Sequence, residues 1–213
     1  MIVLFLLLIY VYQKDRHKEP LSFLFLLFVI GMISAGCSLF SSILCTPIIE
    51  FFQKNHLTFL NLLFFTGGFE EGWKWIFLYT ICFKNKNYEE SFDMIVYSVW
   101  ISLGFAFLEN IFYVWDHEWM VALLRNLFAI PAHACYGILM GYYLTLYRKN
   151  QKKKKYLFAS LFLPIFLHGL YDYFLLAKPT YMLFVFLFFV CLLFSRCFYT
   201  LFHAQEENRR FEN

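Results

Sequence analysis

The chain has 213 residues, a formal charge of +3, 61% hydrophobic and only 15% charged residues, with 30 Phe and 15 Tyr. Soluble domains average roughly 45–50% apolar and 25% charged residues, so this composition excludes a soluble globular protein. Many apolar stretches reach the roughly 20 residues a helix needs to cross about 30 Å of hydrocarbon, and no ten-residue alternation suggests a barrel, which leaves an all-α polytopic membrane bundle.

Polar residues divide the sequence into seven apolar segments, at about 1–12, 21–46, 57–83, 92–114, 119–147, 156–177 and 180–202. The first would give only about 18 Å of helix. It lacks the basic flank and small-residue cleavage site of a signal peptide, so it reads as a helix of the mature chain. With no internal repeat or linker, 1–213 reads as one membrane domain. Basic residues order the connections. Lys14, Arg16, Lys18, Lys84, Lys86, the run 148–155, Arg196, Arg209 and Arg210 fall on one face, and only Lys54 and Lys178 on the other. The positive-inside rule then predicts seven spans with the N-terminus outside and the C-terminus in the cytoplasm. The run "RKNQKKKK" reads as a cytoplasmic anchor on anionic lipid, not a nucleic-acid patch. Six cysteines, without CxxC spacing, read as apolar packing residues.

Ionisable side chains inside spans cost about 2.5–3.5 kcal/mol each at the bilayer centre, so they mark function. The third segment carries Glu70, Glu71 and Lys74, the fourth Glu109 with Asn110, the fifth Arg125 and His133, and the sixth His168 and Asp172. Glu70 and Lys74 are four residues apart, which predicts a neutralising pair and leaves Glu71, about 100° round the helix, as the stronger general base. The same spacing lets Asp172 orient His168 or share a metal with it. Gly67, Gly68 and Gly72 predict close helix approach or room for a bound peptide. Pro131 and Pro164, just ahead of His133 and His168, predict kinks and freed carbonyls.

A mid-membrane cavity holding these groups suits peptide-bond hydrolysis. A carboxylate can activate water while imidazoles or an Asn stabilise the tetrahedral oxygen. Alternatively Glu71, His133 and His168 can hold Zn²⁺ with the other Glu as base. No HExxH is present, so such ligands must come from separate helices. The same Glu and His residues also suit the relay of a proton-coupled transporter, although no inverted repeat supports one.

The segment "FEEGWKW" resembles the EExxK motif of the PrsW family of intramembrane proteases, and "FAFLEN" (Phe105 to Asn110) its FxxxEN motif. "RNLFAIPAHACYGILMGYY" is similar to the family's Arg-to-His span, "LPIFLHGLYDYF" to its HGxYD span, and "KDRHKEP" to its first loop. Order and spacing agree over roughly residues 14 to 177. The resemblance implies a multi-pass protease of the bacterial plasma membrane that makes the first cut in a single-span anti-sigma factor during stress signalling. It implies that Glu70, Glu71 and His168 are essential, with Glu109, Asn110, Arg125, His133 and Asp172 at the other polar motif positions. Met94 and Ser98 in "DMIVYS" replace glycines usual in the family, which predicts altered packing of the fourth span. CAAX-processing proteases fit less well: Lys74 comes one residue sooner than their Arg, and Glu109-Asn110 stands where they have a His.

Overall fold

The computed structural model describes residues 1–83, 92–116, 119–177 and 179–210, and every regular element among them is helical. Helix α1 (Ile2–Lys14) is followed by α2 (Leu21–Leu44) and a short α3 (Thr46–Lys54). Next comes an unbroken helical run: α4 (Thr58–Asn61), a π-helical turn (Leu62–Gly67), α5 (Gly68–Phe77) and a second π turn (Leu78–Phe83). Helix α6 (Asp93–Asp116) precedes α7 (Trp119–Leu124), a third π turn (Arg125–Ala129) and α8 (Ile130–Lys149). Helices α9 (Lys154–Leu176) and α10 (Thr180–Arg210) complete the bundle. Among the described residues five helices are long and apolar enough to cross a membrane: Leu21–Leu44, Asp93–Trp115, Arg125–Lys149, Lys154–Leu176 and Thr180–Glu206. This is a multi-pass membrane protein. Helix α1 stops at 13 residues, and the 58–83 run, though helical throughout, changes period at its two π turns.

One boundary and one expected kink differ from the sequence reading. The second apolar segment ends at Leu44, and Thr46–Lys54 forms a separate amphipathic helix with Pro47 in its first turn. The π turn at Arg125–Ala129 lies directly ahead of Pro131, so the missing proline N–H is absorbed by a widened turn within a continuous helix.

The bundle is built around α6, which is buried along most of its length between α2 and α8. Small residues permit that proximity. A Cβ on Gly31 would overlap the Ile101 carbonyl, and one on Gly104 the Phe28 carbonyl, so α2 and α6 cross backbone to backbone. On the other side Gly137 and Gly141 of α8 sit against the carbonyls of Ser98 and Met94. Met94 and Ser98 themselves are buried, so at this crossing the small residues stand on α8. We expect Gly104→Leu to destabilise the bundle by at least about 1–3 kcal/mol, read as a lower thermal midpoint in detergent. Gly72→Ala, with nothing within 4 Å of its Cβ, should raise the midpoint slightly, by up to about 1 kcal/mol of helix propensity.

Two indoles fix the rotation of α5. Trp73 Nε1 donates to Ser41 Oγ of α2 at 2.9 Å, and Trp75 Nε1 donates to Ser160 Oγ of α9 at 2.8 Å. Gly67 closes the α9 contact, since a Cβ there would meet the Ile165 carbonyl at 2.8 Å. Gly72 makes no such approach. Thus held, the acidic face of α5 is aimed between α6, α8 and α9.

One end of the bundle gathers basic residues. Gln205 Nε2 donates to the Lys14 carbonyl at 3.2 Å, which sets the C-terminal part of α10 beside the end of α1. Tyr97 of α6 donates to Glu19 through a short hydrogen bond, bringing the first loop to the start of α6. Lys84, Lys86 and Lys178 lie outside the described residues, as do the side chains of Arg209 and Arg210.

Candidate active site

Five segments deliver ionisable side chains to one interior locus. Glu70, Glu71 and Lys74 come from α5, Glu109 from α6, Arg125 from the third π turn, His133 from α8, and His168 and Asp172 from α9. Glu71 and Lys74 are both fully buried.

Glu71 Oε1 is the hub. It accepts from Lys74 Nζ at 2.7 Å and faces His168 Nδ1 at 2.9 Å, with His133 Nδ1 at 3.9 Å. The expected Glu70–Lys74 pair is therefore corrected to a Glu71–Lys74 pair, three residues apart. Helix geometry allows either partner, and the surroundings of Lys74 decide. Its ammonium sits 3.8 Å from the Phe105 ring centroid and 3.0 Å from His133 Nδ1, on the side of α5 that Glu71 shares.

That contact sets the histidine tautomers. An ammonium only donates, so His133 Nδ1 accepts, and the ring proton lies on Nε2, which donates to Glu109 Oε2 at 2.9 Å. Glu109 Oε1 in turn pairs with Arg125 Nη2 at 2.7 Å, and the guanidinium lies 3.7 Å over the Tyr113 ring. On His168 the Nδ1 proton is donated to Glu71, and Nε2 faces Asp172 Oδ2 at 3.5 Å and Glu70 Oε2 at 3.9 Å. Asp172 thus reaches His168 as its spacing predicts, at a distance long for a direct hydrogen bond.

These groups border a cavity of about 460 Å³. Glu70, Glu109, Arg125, His133, His168 and Asp172 line its polar part, while Phe128, Leu183 and Phe186 contribute to its apolar part. Glu70 borders the cavity with Oε2 unpartnered, whereas Glu71 is engaged behind it. Asn110 does not join the cluster. It lines a separate cavity with Met1 and Asn126, because adjacent positions on α6 point about 100° apart. Phe105, the first residue of the FxxxEN motif, also belongs here, under Lys74, as do two residues that sequence reading passed over: Tyr113 under Arg125, and Tyr136 stacked on His168 at 4.9 Å and 19°. Tyr136 stands three residues after His133, so helical spacing alone places it on the same face.

Comparisons with known proteins give the family. Residues 19–195 match the model of the PrsW family, described as a PrsW family intramembrane metalloprotease. The chain belongs to the PrsW family. Protease PrsW of Geobacillus kaustophilus is 36% identical over 181 residues, covering 81% of this chain and 76% of the relative. Protease PrsW of Halalkalibacterium halodurans is 36% identical over 189 residues, with 84% and 82% covered. Protease PrsW of Bacillus subtilis is 32% identical over 189 residues, with 87% and 85% covered. No solved structure matches the chain. PrsW membership makes this an intramembrane protease whose candidate centre is the Glu/His cluster.

The cluster also fits a metal ion. One donor atom from each of Glu70, Glu71, His133 and His168 lies within 4.8 Å of the others, and Oε2 of both glutamates has no hydrogen-bond partner among the described residues. Charge points the same way. Four carboxyl groups (Glu70, Glu71, Glu109, Asp172) face two fixed cations (Lys74, Arg125), an excess that bound protons or a divalent cation would offset. The free lone pairs are on Glu70, Glu71 and His168; both nitrogens of His133 are engaged by Lys74 and Glu109.

Proposed function

We propose that this protein is a seven-span intramembrane endopeptidase of the bacterial plasma membrane, with residues 1–213 acting as one domain. In this reading the N-terminus is outside and the C-terminus cytoplasmic, and the substrate is a single-span anti-sigma factor cut first here in a stress response. The observation that carries it is the carboxylate and imidazole cluster bordering a cavity inside an apolar bundle. The cost of burying such groups among apolar helices makes a purely structural role uneconomical.

Glu70 is the general base, because it borders the cavity with an unengaged oxygen. It takes a proton from water as the water oxygen adds to the scissile carbonyl carbon and the carbonyl electron pair moves to oxygen. When the C–N bond breaks, that proton passes to the departing nitrogen. Glu71 orients His168 through Nδ1 and leaves Nε2 toward the reacting groups. Lys74 compensates the Glu71 charge, and Arg125 with Glu109 holds His133. Asp172 steadies His168 from the same helix, and Asn110 supports α6 outside the cavity. Should Zn²⁺ be the resident ion, Glu71, His133 and His168 would hold it, His133 releasing Lys74 or Glu109 to do so, Glu70 would stay the base, and the ion would supply Lewis acidity.

The test is cleavage of a tagged single-span anti-sigma factor in liposomes, with and without a metal chelator. Cutting abolished by chelator and restored by Zn²⁺ establishes metal dependence; cutting indifferent to chelator establishes glutamate-type chemistry. Ion flux without any cutting would replace the protease reading with a transporter.

A further inference from the structure

The cavity has donors for the developing oxyanion, and most are already committed. Arg125 is bonded to Glu109 through Nη2 and stacked over Tyr113, which leaves its Nε–H without a partner among the described residues. His133 spends its Nε2 proton on Glu109, and His168 its Nδ1 proton on Glu71. Asn110, the amide expected for this role, borders a different cavity. Tyr136 is an uncharged donor with no such commitment. It is 1% exposed, it lines the cavity, and its hydroxyl has no hydrogen-bond partner among the described residues. Its ring is fixed on both catalytic imidazoles, stacked on His168 at 4.9 Å and edge-on to His133 at 5.9 Å.

A phenol held this way is costly without a ligand. A hydroxyl removed from water and left unpaired costs about 1–3 kcal/mol, and phenylalanine, abundant in this chain, would fill the same space without that cost. We propose that Tyr136 is a catalytic residue whose hydroxyl donates a hydrogen bond to the scissile carbonyl oxygen as that oxygen gains negative charge. This rests on the protease reading above. The hydroxyl keeps its proton throughout; water supplies the atoms, Glu70 carries the moving proton, and the phenol lowers the energy of the tetrahedral state. A preorganised donor in a water-poor site is well suited to this, because it needs no reorientation when charge develops.

Tyr136→Phe keeps the ring on His168 and removes only the hydroxyl. In the liposome assay it is expected to lower kcat by about 10²–10³-fold with KM little changed. It should weaken binding of a substrate-derived peptide phosphinate, whose tetrahedral oxygens mimic the transition state, by a similar factor. Phosphinate affinity is measured on the folded fraction, so a lowered thermal midpoint does not mask it. Wild-type turnover by Tyr136→Phe overturns the proposal and leaves the protease reading standing. A kcat loss with unchanged phosphinate affinity also overturns it, because the hydroxyl would then be structural. Absence of cutting by folded wild-type protein defeats the protease reading itself, and this proposal with it.

Discussion

Glu70→Gln is expected to slow substrate cleavage by about 10²–10⁴-fold while leaving the thermal midpoint at the wild-type value. The expectation follows from the different positions of two adjacent carboxylates. The Glu71 side chain is 0% exposed, with Oε1 shared by an ammonium and an imidazole, whereas the Glu70 side chain is 13% exposed and borders the cavity. An amide at position 70 has nearly the same shape but cannot accept a proton from water. It also removes one negative charge from a locus rich in them, so folding should not suffer. Glu71→Gln is expected to differ in kind: activity and midpoint fall together, because Lys74 loses its counter-charge and His168 its orienting acceptor. Thermal unfolding in detergent, measured beside turnover, separates the two. Loss of activity in Glu70→Gln only in proportion to lost folded protein would contradict the assignment.

Lys74→Met should destabilise the protein by about 3–5 kcal/mol, the typical cost of removing one partner from a buried ion pair. The ammonium is in contact with Glu71, His133 and the face of Phe105, and its side chain is fully buried, so no water can replace it. Adding Glu71→Gln to Lys74→Met should recover stability relative to Lys74→Met alone, since the uncompensated carboxylate is then removed. The double variant should remain inactive, because neither the Glu71 charge beside His168 nor the donor to His133 returns. Unfolding midpoints of the two single variants and the double variant form the cycle that checks this. Additive losses would mean that the pair is not coupled, against its 2.7 Å separation.

Much of this site was legible in the sequence, because the bilayer makes ionisable groups conspicuous. Glu70, Glu71, Glu109, Arg125, His133, His168 and Asp172 stand out among apolar neighbours, and their motifs give the family. Which glutamate pairs with Lys74 was not legible. Spacings of three and four are both neighbours on a helix, and the choice lies with Phe105 and His133, contributed by other helices. Asn110 was misread for a related reason, as its adjacency to Glu109 in sequence says nothing of which side of α6 it takes. Tyr136 carried no compositional signal in a chain with 15 Tyr and 30 Phe, although its spacing from His133 was available. The seven apolar segments were read from hydropathy alone, which detects neither the π turns that reset helix phase at 62–67 and 125–129 nor the separate helix Thr46–Lys54. Hydropathy registers apolar length, whereas phase depends on backbone hydrogen bonds.

The central claim, that this cluster hydrolyses a peptide bond with Glu70 as base, is tested most directly by one comparison. Purified wild-type and Glu70→Gln proteins, matched for thermal midpoint, are reconstituted with a tagged single-span anti-sigma factor, and the cleavage products are quantified by mass spectrometry. One defined cut by the wild type is expected, with a rate lower by about 10²-fold or more for the variant. Equal rates of the same cut by both proteins would contradict it.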